Sequence, residues 1–352
     1  MTSHRLPSVK RLNNEKPILE KIADHPWENK VTFNPASILV THQDELKRII
    51  AELPFTAQTK RALRSYAALC FLLYRAQGKK SLQFDYTCSS IGFAVLTPEL
   101  KLVARHTEPV MLPDQDYDNL GVEDPRITKV NSRYVMFYTA YSAAEPANKI
   151  RIGLATSTNL FDWKKHGLLY GDFNSIDNKN AVLFPGQING KYVMLHRPMK
   201  GDQAMAVHWA TGKDIFAPWT SEGVLMKPVP NSKFVDTWIG GGAPPLAIPE
   251  GRYLFLYHIG NRASDGSREY NLGIAICDPK RKEWIFRRDE PLLRPETPAE
   301  TIGDIELGVN NVVFICGAYF YSGDLYFPYA GADSVILGGK ISGLELKQYL
   351  EA

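Results

Sequence analysis

The feature that most constrains the fold of this chain is an internal repeat with a period of roughly 60 residues. Its first element is an apolar run ending near an aromatic residue or a histidine, at 71–75, 134–138, 192–196, 253–258 and 325–329. In the second element glycine or alanine alternates with apolar residues, at 91–94, 152–155, 204–208, 272–275 and 336–339. Runs this short, separated by turn formers such as Asn131-Ser132 and Asn189-Gly190, are strand signals. Five such units predict an all-β chain, a five-bladed β-propeller over 66–345, whose closed ring protects its sheet edges. The apolar runs are expected to be the innermost strands, and the small residues to let neighbouring blades pack closely.

Ahead of the repeats, Leu46, Ile49, Ile50 and Leu53 have helical spacing, as do Leu63, Tyr66 and Leu69. Residues 1–65 are therefore expected to form an N-terminal extension with helices near 42–53 and 56–69, packed on the propeller. With 44% hydrophobic and 22% charged residues, the chain can bury a sizeable core. Its 41 basic and 38 acidic residues are spread without a sustained basic run, which argues against nucleic-acid binding. Cys70, Cys88, Cys277 and Cys316 lack the short paired spacings of a zinc or redox site and read as reduced thiols. Residues 1–21 hold no apolar signal core, and no stretch approaches the ~18 apolar residues of a membrane span. The expectation is a cytoplasmic protein with no membrane partner, metal or organic cofactor; homo-oligomerisation stays open.

In a propeller, loops and inner-strand ends from every blade converge at one place, so polar residues ending the apolar runs are the first site candidates. They are Arg75, Tyr138, His196, Arg197, Tyr257, His258 and Asp333. The sharpest local string is Gly-Val-Glu-Asp-Pro-Arg at 121–126, expected to open the strand that runs into Tyr134. In extended backbone the adjacent Glu123 and Asp124 point opposite ways, so Asp124 can face inward as an acid while Glu123 faces outward. Arg126 is then its neighbour or a structural ion-pair partner.

The 121–129 string, followed by Tyr138-Thr139-Ala140 and the run 151–156, resembles glycoside hydrolase family 130, the β-mannoside phosphorylases and mannosidases. Further matches in the family's order are the runs 180–185, 188–192, 195–198, 240–245 and 329–333, so the resemblance covers roughly residues 30 to 342. It implies a five-bladed propeller and inverting attack at the anomeric carbon of a terminal β-mannose. Asp124 matches the family's aspartate, which relays its proton through the mannose 3-hydroxyl to the leaving oxygen. Arg75, Ser90 and Asp333 match mannose-recognising positions, and His196 and His258 are candidates to line the pocket. Lys179, Asn180, Arg197 and Tyr270 match the phosphate-binding set. Trp238 stands just before the Ile-Gly-Gly-Gly-Ala-Pro-Pro string, where many phosphorylases carry a cation.

The function expected is an inverting β-mannoside phosphorylase that uses inorganic phosphate as co-substrate and releases α-mannose 1-phosphate. An inverting β-mannosidase is the alternative, with Asp236, Asp304 or Glu306 as the water-activating base. A furanosidase on the same architecture fits the remaining motifs poorly. A non-catalytic sugar-binding propeller is the more distant alternative.

Overall fold

The computed structural model describes residues 5–78, 87–144, 147–201, 203–288 and 290–351. Its strands fall into five antiparallel groups. The first holds Val31–Val40, Leu69–Gln77, Ser89–Leu96 and Leu102–Arg105. The second holds Gly121–Val130, Arg133–Ser142, Lys149–Ser157 and Lys164–Leu168. A single parallel bridge, Ser89 to Gly121, joins these two groups into one eight-stranded sheet. Asn178–Leu183, Tyr192–Pro198, Val207–Gly212 and Thr220–Met226 form the third. The fourth is Asp236–Gly241, Tyr253–Arg262, Arg268–Asp278 and Glu283–Arg287, with the short Leu246–Ala247 beside it. In the fifth, Val313–Ile315, Asp324–Gly331 and Val335–Ile341 are completed at the far edge by Lys10–Arg11 from the N-terminus.

All five apolar runs are strands, but each is the second strand of its group, not the first. Each follows another strand; in the first two groups this is Val31–Val40 and Gly121–Val130, which are buried on both faces and so show no alternation in the sequence. The 121–126 string lies on such a strand of its own, separated from Tyr134 by the Asn131-Ser132 turn.

The small residues of the second element serve their own sheet. Tyr74 lies opposite Gly92, Tyr138 opposite Gly153, Tyr257 opposite Gly273 and Phe327 opposite Gly339. A Cβ on any of these glycines would stand 2.3 Å from the facing ring. Each ring therefore lies across its glycine partner, and the expected role between neighbouring blades is replaced by a cross-strand pair.

The segment 1–65 departs from a purely helical extension. Gln43–Glu52 and Ala57–Leu63 are helices, the second capped by the Thr56 hydroxyl, and Leu46, Ile49, Ile50 and Leu63 pack on Phe71 and Leu73. The same segment supplies one strand to the first group and one to the fifth, so a boundary at 65 cuts through a sheet. Arg11 fastens its strand by ion pairs to Glu300 at 2.8 Å and Glu296 at 3.0 Å. Apolar side chains pack the first group on the second, the second on the third, the third on the fourth and the fourth on the fifth. Cys70, Leu72 and Tyr74 of the first group also pack with Tyr326 and Ile336 of the fifth. A final helix, Gly343–Glu351, which the sequence reading did not assign, buries Leu346 and Tyr349. Among the described residues no helix is long and apolar enough to cross a membrane.

Candidate active site

Three of the first strands are interrupted at the same place by a register shift: between Phe33 and Ala36, between Glu123 and Arg126, and between Lys179 and Val182. Each shift contains a residue with left-handed backbone, Asn34 (φ +47°), Asp124 (+49°) and Asn180 (+57°). Asn and Asp tolerate this region because their short polar side chains bond locally. A bulge of this kind re-aims side chains, and here it gathers three strands' Asx groups together.

Asp124 is 2% exposed, and its Oδ1 accepts from Asn34 Nδ2 at 2.6 Å and Arg75 Nη1 at 3.2 Å. Glu123 does not face outward. The bulge turns both carboxylates to one guanidinium, and Glu123 Oε1 accepts from Arg75 Nη2 at 2.6 Å. Arg75 also donates from Nε to Ser89 Oγ at 2.8 Å and lies 4.6 Å over the Phe33 ring. Ser89, not the expected Ser90, is thus the serine of this network. Ser90 pairs with Ala76 on the opposite face of the strand.

Arg126 forms no ion pair with a carboxylate among the described residues. It donates to the carbonyls of Asp124 (2.8 Å), Gly241 (3.2 Å) and Gly242 (3.2 Å) and to Asn180 Oδ1 (3.3 Å), tying the first strands of three groups together. The glycine run at 240–242 follows from this approach: a Cβ on Gly240 would stand 2.4 Å from Asn180 Nδ2 and 3.2 Å from Arg197 Nη1.

Burial alone would raise the Asp124 carboxyl, but Arg75, Lys179 and Arg126, with the Asn34 amide, hold it well below the usual carboxylate range. Asp333 sits in the same field with the opposite result. Its burial outweighs Arg75, and the nearby Asp124 charge adds to it, so the carboxyl is pushed up to about 7. Its Oδ1 is buried without a partner. One site thus holds one firmly ionised carboxylate and one that titrates near neutrality.

Beside them lies a set of unused donors. Nε and Nη1 of Arg197 and Nδ2 of Asn180 are buried without an acceptor, and Lys179 opposes Arg197 across the strand pair. Burial lowers the proton affinity of both cations. Tyr270 lies close enough for Arg197 to act on its hydroxyl, and its ring meets Trp238 edge-on at 5.4 Å and Phe314 at 6.0 Å. Trp238 Nε1 is buried beside the Tyr270 hydroxyl and favours its ionised form.

The two histidines part company. His258 stacks on Phe314 at 3.6 Å, with Nε2 2.8 Å from the Ile315 carbonyl and Nδ1 unpartnered. Burial, then the Arg126 charge, keeps it neutral beside the cluster. His196 points to the other side of its strand, against Asn178 at 3.0 Å and the Phe173 ring at 5.0 Å, and burial lowers its pKa to about 3. It does not join the Asp124 cluster. Asn34 does, and the sequence reading missed it; the signal was there in Asn34-Pro35, which repeats Asp124-Pro125 one group earlier.

The three carboxylates expected as candidate bases are engaged elsewhere. Asp236 pairs with Arg262, Glu306 with Lys30 at 2.7 Å, and Asp304 accepts the backbone N–H groups of Glu306 and Leu307.

The family model described as β-1,4-mannooligosaccharide phosphorylase, glycoside hydrolase family 130, matches residues 4–350. A 1,2-β-oligomannan phosphorylase of Thermoanaerobacter sp. (strain X514) is 33% identical over 93% of this chain and 95% of its own. A β-1,2-mannobiose phosphorylase of the same organism is 32% identical, with the same coverage of both chains. Among solved structures, the β-1,2-mannobiose phosphorylase of Listeria innocua in complex with β-1,2-mannobiose superimposes with a TM-score of 0.73. That pair is 21% identical over 97% of this chain and 99% of the other, a likeness of fold. With the fold, the whole-length match and these relatives agreeing, the chain belongs to glycoside hydrolase family 130.

Proposed function

We propose that this enzyme is an inverting β-mannoside phosphorylase, built as a five-bladed β-propeller. The cyclic packing of the five groups, fifth on first, supports the ring. The observation that carries the function is the cluster of buried donors without acceptors, Arg197 Nε and Nη1 and Asn180 Nδ2, next to Lys179. Buried donors left unpaired are costly, so a cluster of them with two cations, neither ion-paired among the described residues, calls for an anion. Phosphate meets that need. Water accepts hydrogen bonds but brings no charge to offset the two cations, and Asp236, Asp304 and Glu306 each already hold a partner, which disfavours the hydrolase reading.

In the proposed step a phosphate oxygen attacks the anomeric carbon of the terminal β-mannose from the face opposite the leaving group. The bond to the glycosidic oxygen breaks, and that oxygen receives a proton through the mannose 3-hydroxyl, which Asp124 re-protonates. The products are α-mannose 1-phosphate and the shortened acceptor. Asp124 is ionised in the free enzyme, held so by Arg75, Lys179 and Arg126, so it must be loaded first. Phosphate charge placed at Lys179 and Arg197 offsets part of that positive field, so a proton is taken up as phosphate binds. Arg75 and Asp333 hold the mannose, and the reaction needs no metal or organic cofactor.

Two relatives carry β-1,2 specificity in their names, so β-1,2-mannobiose is the first substrate to try. The test is incubation with β-1,2- and β-1,4-mannobiose, with and without phosphate. Phosphate-dependent mannose 1-phosphate is the expected product. Free mannose released at the same rate in both buffers would return the hydrolase reading.

A further inference from the structure

A second polar cleft lies between the third and fourth groups, and its walls include no residue of the cluster around Asp124. It has a volume of 280 Å³ and is lined by Asn231, Ser232, Thr237, Asn261, Arg287 and Arg294, with apolar backing from Ile239 and Ile259. Thr237 and Ile239 face it, whereas Trp238 and Gly240, one residue along the same strand, face the other way.

The chemistry of the cleft is one-sided. Among the described residues no aspartate or glutamate lines it. Arg287 spends Nη1 on the Lys227 carbonyl at 2.7 Å and lies 5.7 Å over the Tyr257 ring, but its Nε is buried without an acceptor. Neither Arg287 nor Arg294 has a carboxylate partner among the described residues. Asn261 is 4% exposed, and its Oδ1 already accepts from the Thr237 hydroxyl at 3.2 Å, so what it has left to offer is the Nδ2 donor. Two guanidiniums, an amide N–H and the Ser232 hydroxyl in a concave site make a donor set for an oxyanion with several oxygens.

We propose that this cleft is a second anion site that takes a phosphate-bearing ligand, either inorganic phosphate or a hexose 1-phosphate. The cleft has room for a sugar ring beside the phosphate, and Ile239 and Ile259 give it an apolar wall. This inference does not depend on which nucleophile the catalytic site uses, because none of the residues it rests on lies in that site.

Isothermal titration calorimetry at fixed ionic strength tests it, with inorganic phosphate and mannose 1-phosphate as ligands. In Arg197→Ala protein, which weakens the catalytic anion pocket, one saturable site per chain is expected to remain for at least one ligand. Adding Arg294→Glu should weaken that site at least tenfold. Arg294 is exposed and makes no side-chain bond among the described residues, so this change leaves the packing intact; Arg287→Lys in the same background is a second, milder probe. Equal affinity for the two ligands assigns the site to phosphate alone, and tighter mannose 1-phosphate binding assigns it to the sugar phosphate. The proposal is overturned if Arg197→Ala protein binds neither ligand saturably, or if the remaining binding is indifferent to Arg294→Glu. Loss of phosphate-dependent turnover without change at this site would instead count against the phosphorylase reading alone.

Discussion

Asn34 Nδ2 stands 2.6 Å from Asp124 Oδ1, the same oxygen that Arg75 reaches at 3.2 Å, so two donors from the first group hold one oxygen of a carboxylate from the second. No hydrogen bond reaches Oδ2 among the described residues, which leaves that atom for a ligand hydroxyl. Asn34→Ala removes a donor to the charged form, so the Asp124 pKa should rise. The lost bond is worth about 0.5 to 1.5 kcal/mol, so the shift should be up to about one pH unit. Because the protonated carboxyl is the form that acts, the alkaline limb of the kcat/KM profile should move upward. A profile that keeps its shape while the rate falls would make Asn34 a substrate contact only.

Asp124→Asn is expected to leave the fold unchanged and cut turnover by about 10² to 10⁴, the usual worth of a general acid. The amide keeps the shape and can still accept from Asn34 and Arg75, but it cannot shuttle a proton. Circular dichroism and thermal unfolding would establish the fold. A folded variant that retains most of its activity would remove Asp124 from the mechanism.

The all-β repeat and the Glu-Asp-Pro-Arg string were legible because five apolar runs recur at a steady spacing and the string has a fixed order. The first strands were not legible, because Val31–Val40 and Gly121–Val130 are buried on both faces and broken by a bulge, which erases the period of two. The same bulge defeated the alternation argument that sent Glu123 outward. The resemblance points to Ser90, whereas the serine bonded to Arg75 is its neighbour Ser89, on the other face of the strand. His196 and Arg197 show the same limit: both end one run, yet only Arg197 reaches the cluster.

Asp333 offers a stability measurement. Its carboxyl titrates at about 7 in the folded chain and at about 4 once unfolded. Between those values the folded state binds more protons, so this residue's contribution is full below about 4 and is lost as pH rises through 7. The groups acting on it are Arg75, Asp124, Lys179 and Glu123. Asp333→Asn should therefore flatten the fall in stability between about pH 4 and 7. Urea unfolding across that window would show it, and parallel slopes for wild type and variant would mean Asp333 is ordinary.

The cross-strand pair of Phe327 and Gly339 can be tested by a double-mutant cycle. A Cβ at Gly339 would meet Phe327 Cε2 at 2.3 Å, so Gly339→Ala should destabilise the protein by about 1 to 3 kcal/mol, the range for overpacking. Phe327→Leu costs packing of its own but clears the ring, so in that background Gly339→Ala should be much milder. Additive effects would show that the glycine is needed for something other than the ring.

The nucleophile is decided at Arg197. Its Nε and Nη1 have no acceptor, and Gly240 leaves room for it beside Asn180, so an anion in this pocket would meet donors already in place. A charge-assisted hydrogen bond is worth about 1.5 to 3 kcal/mol. Arg197→Gln should then raise the KM for phosphate by about ten- to a hundredfold. The KM for the mannoside should move far less, because Arg75 is on a strand of the first group and Asp333 in the turn after Gly331, and both keep their geometry. A hydrolase would respond differently: phosphate would be irrelevant or inhibitory, and Arg197→Gln would relieve that inhibition without creating any phosphate requirement. If wild-type enzyme released mannose at full rate without phosphate, the search for a base would go first to Asp333, whose carboxyl already faces the site and titrates near neutrality.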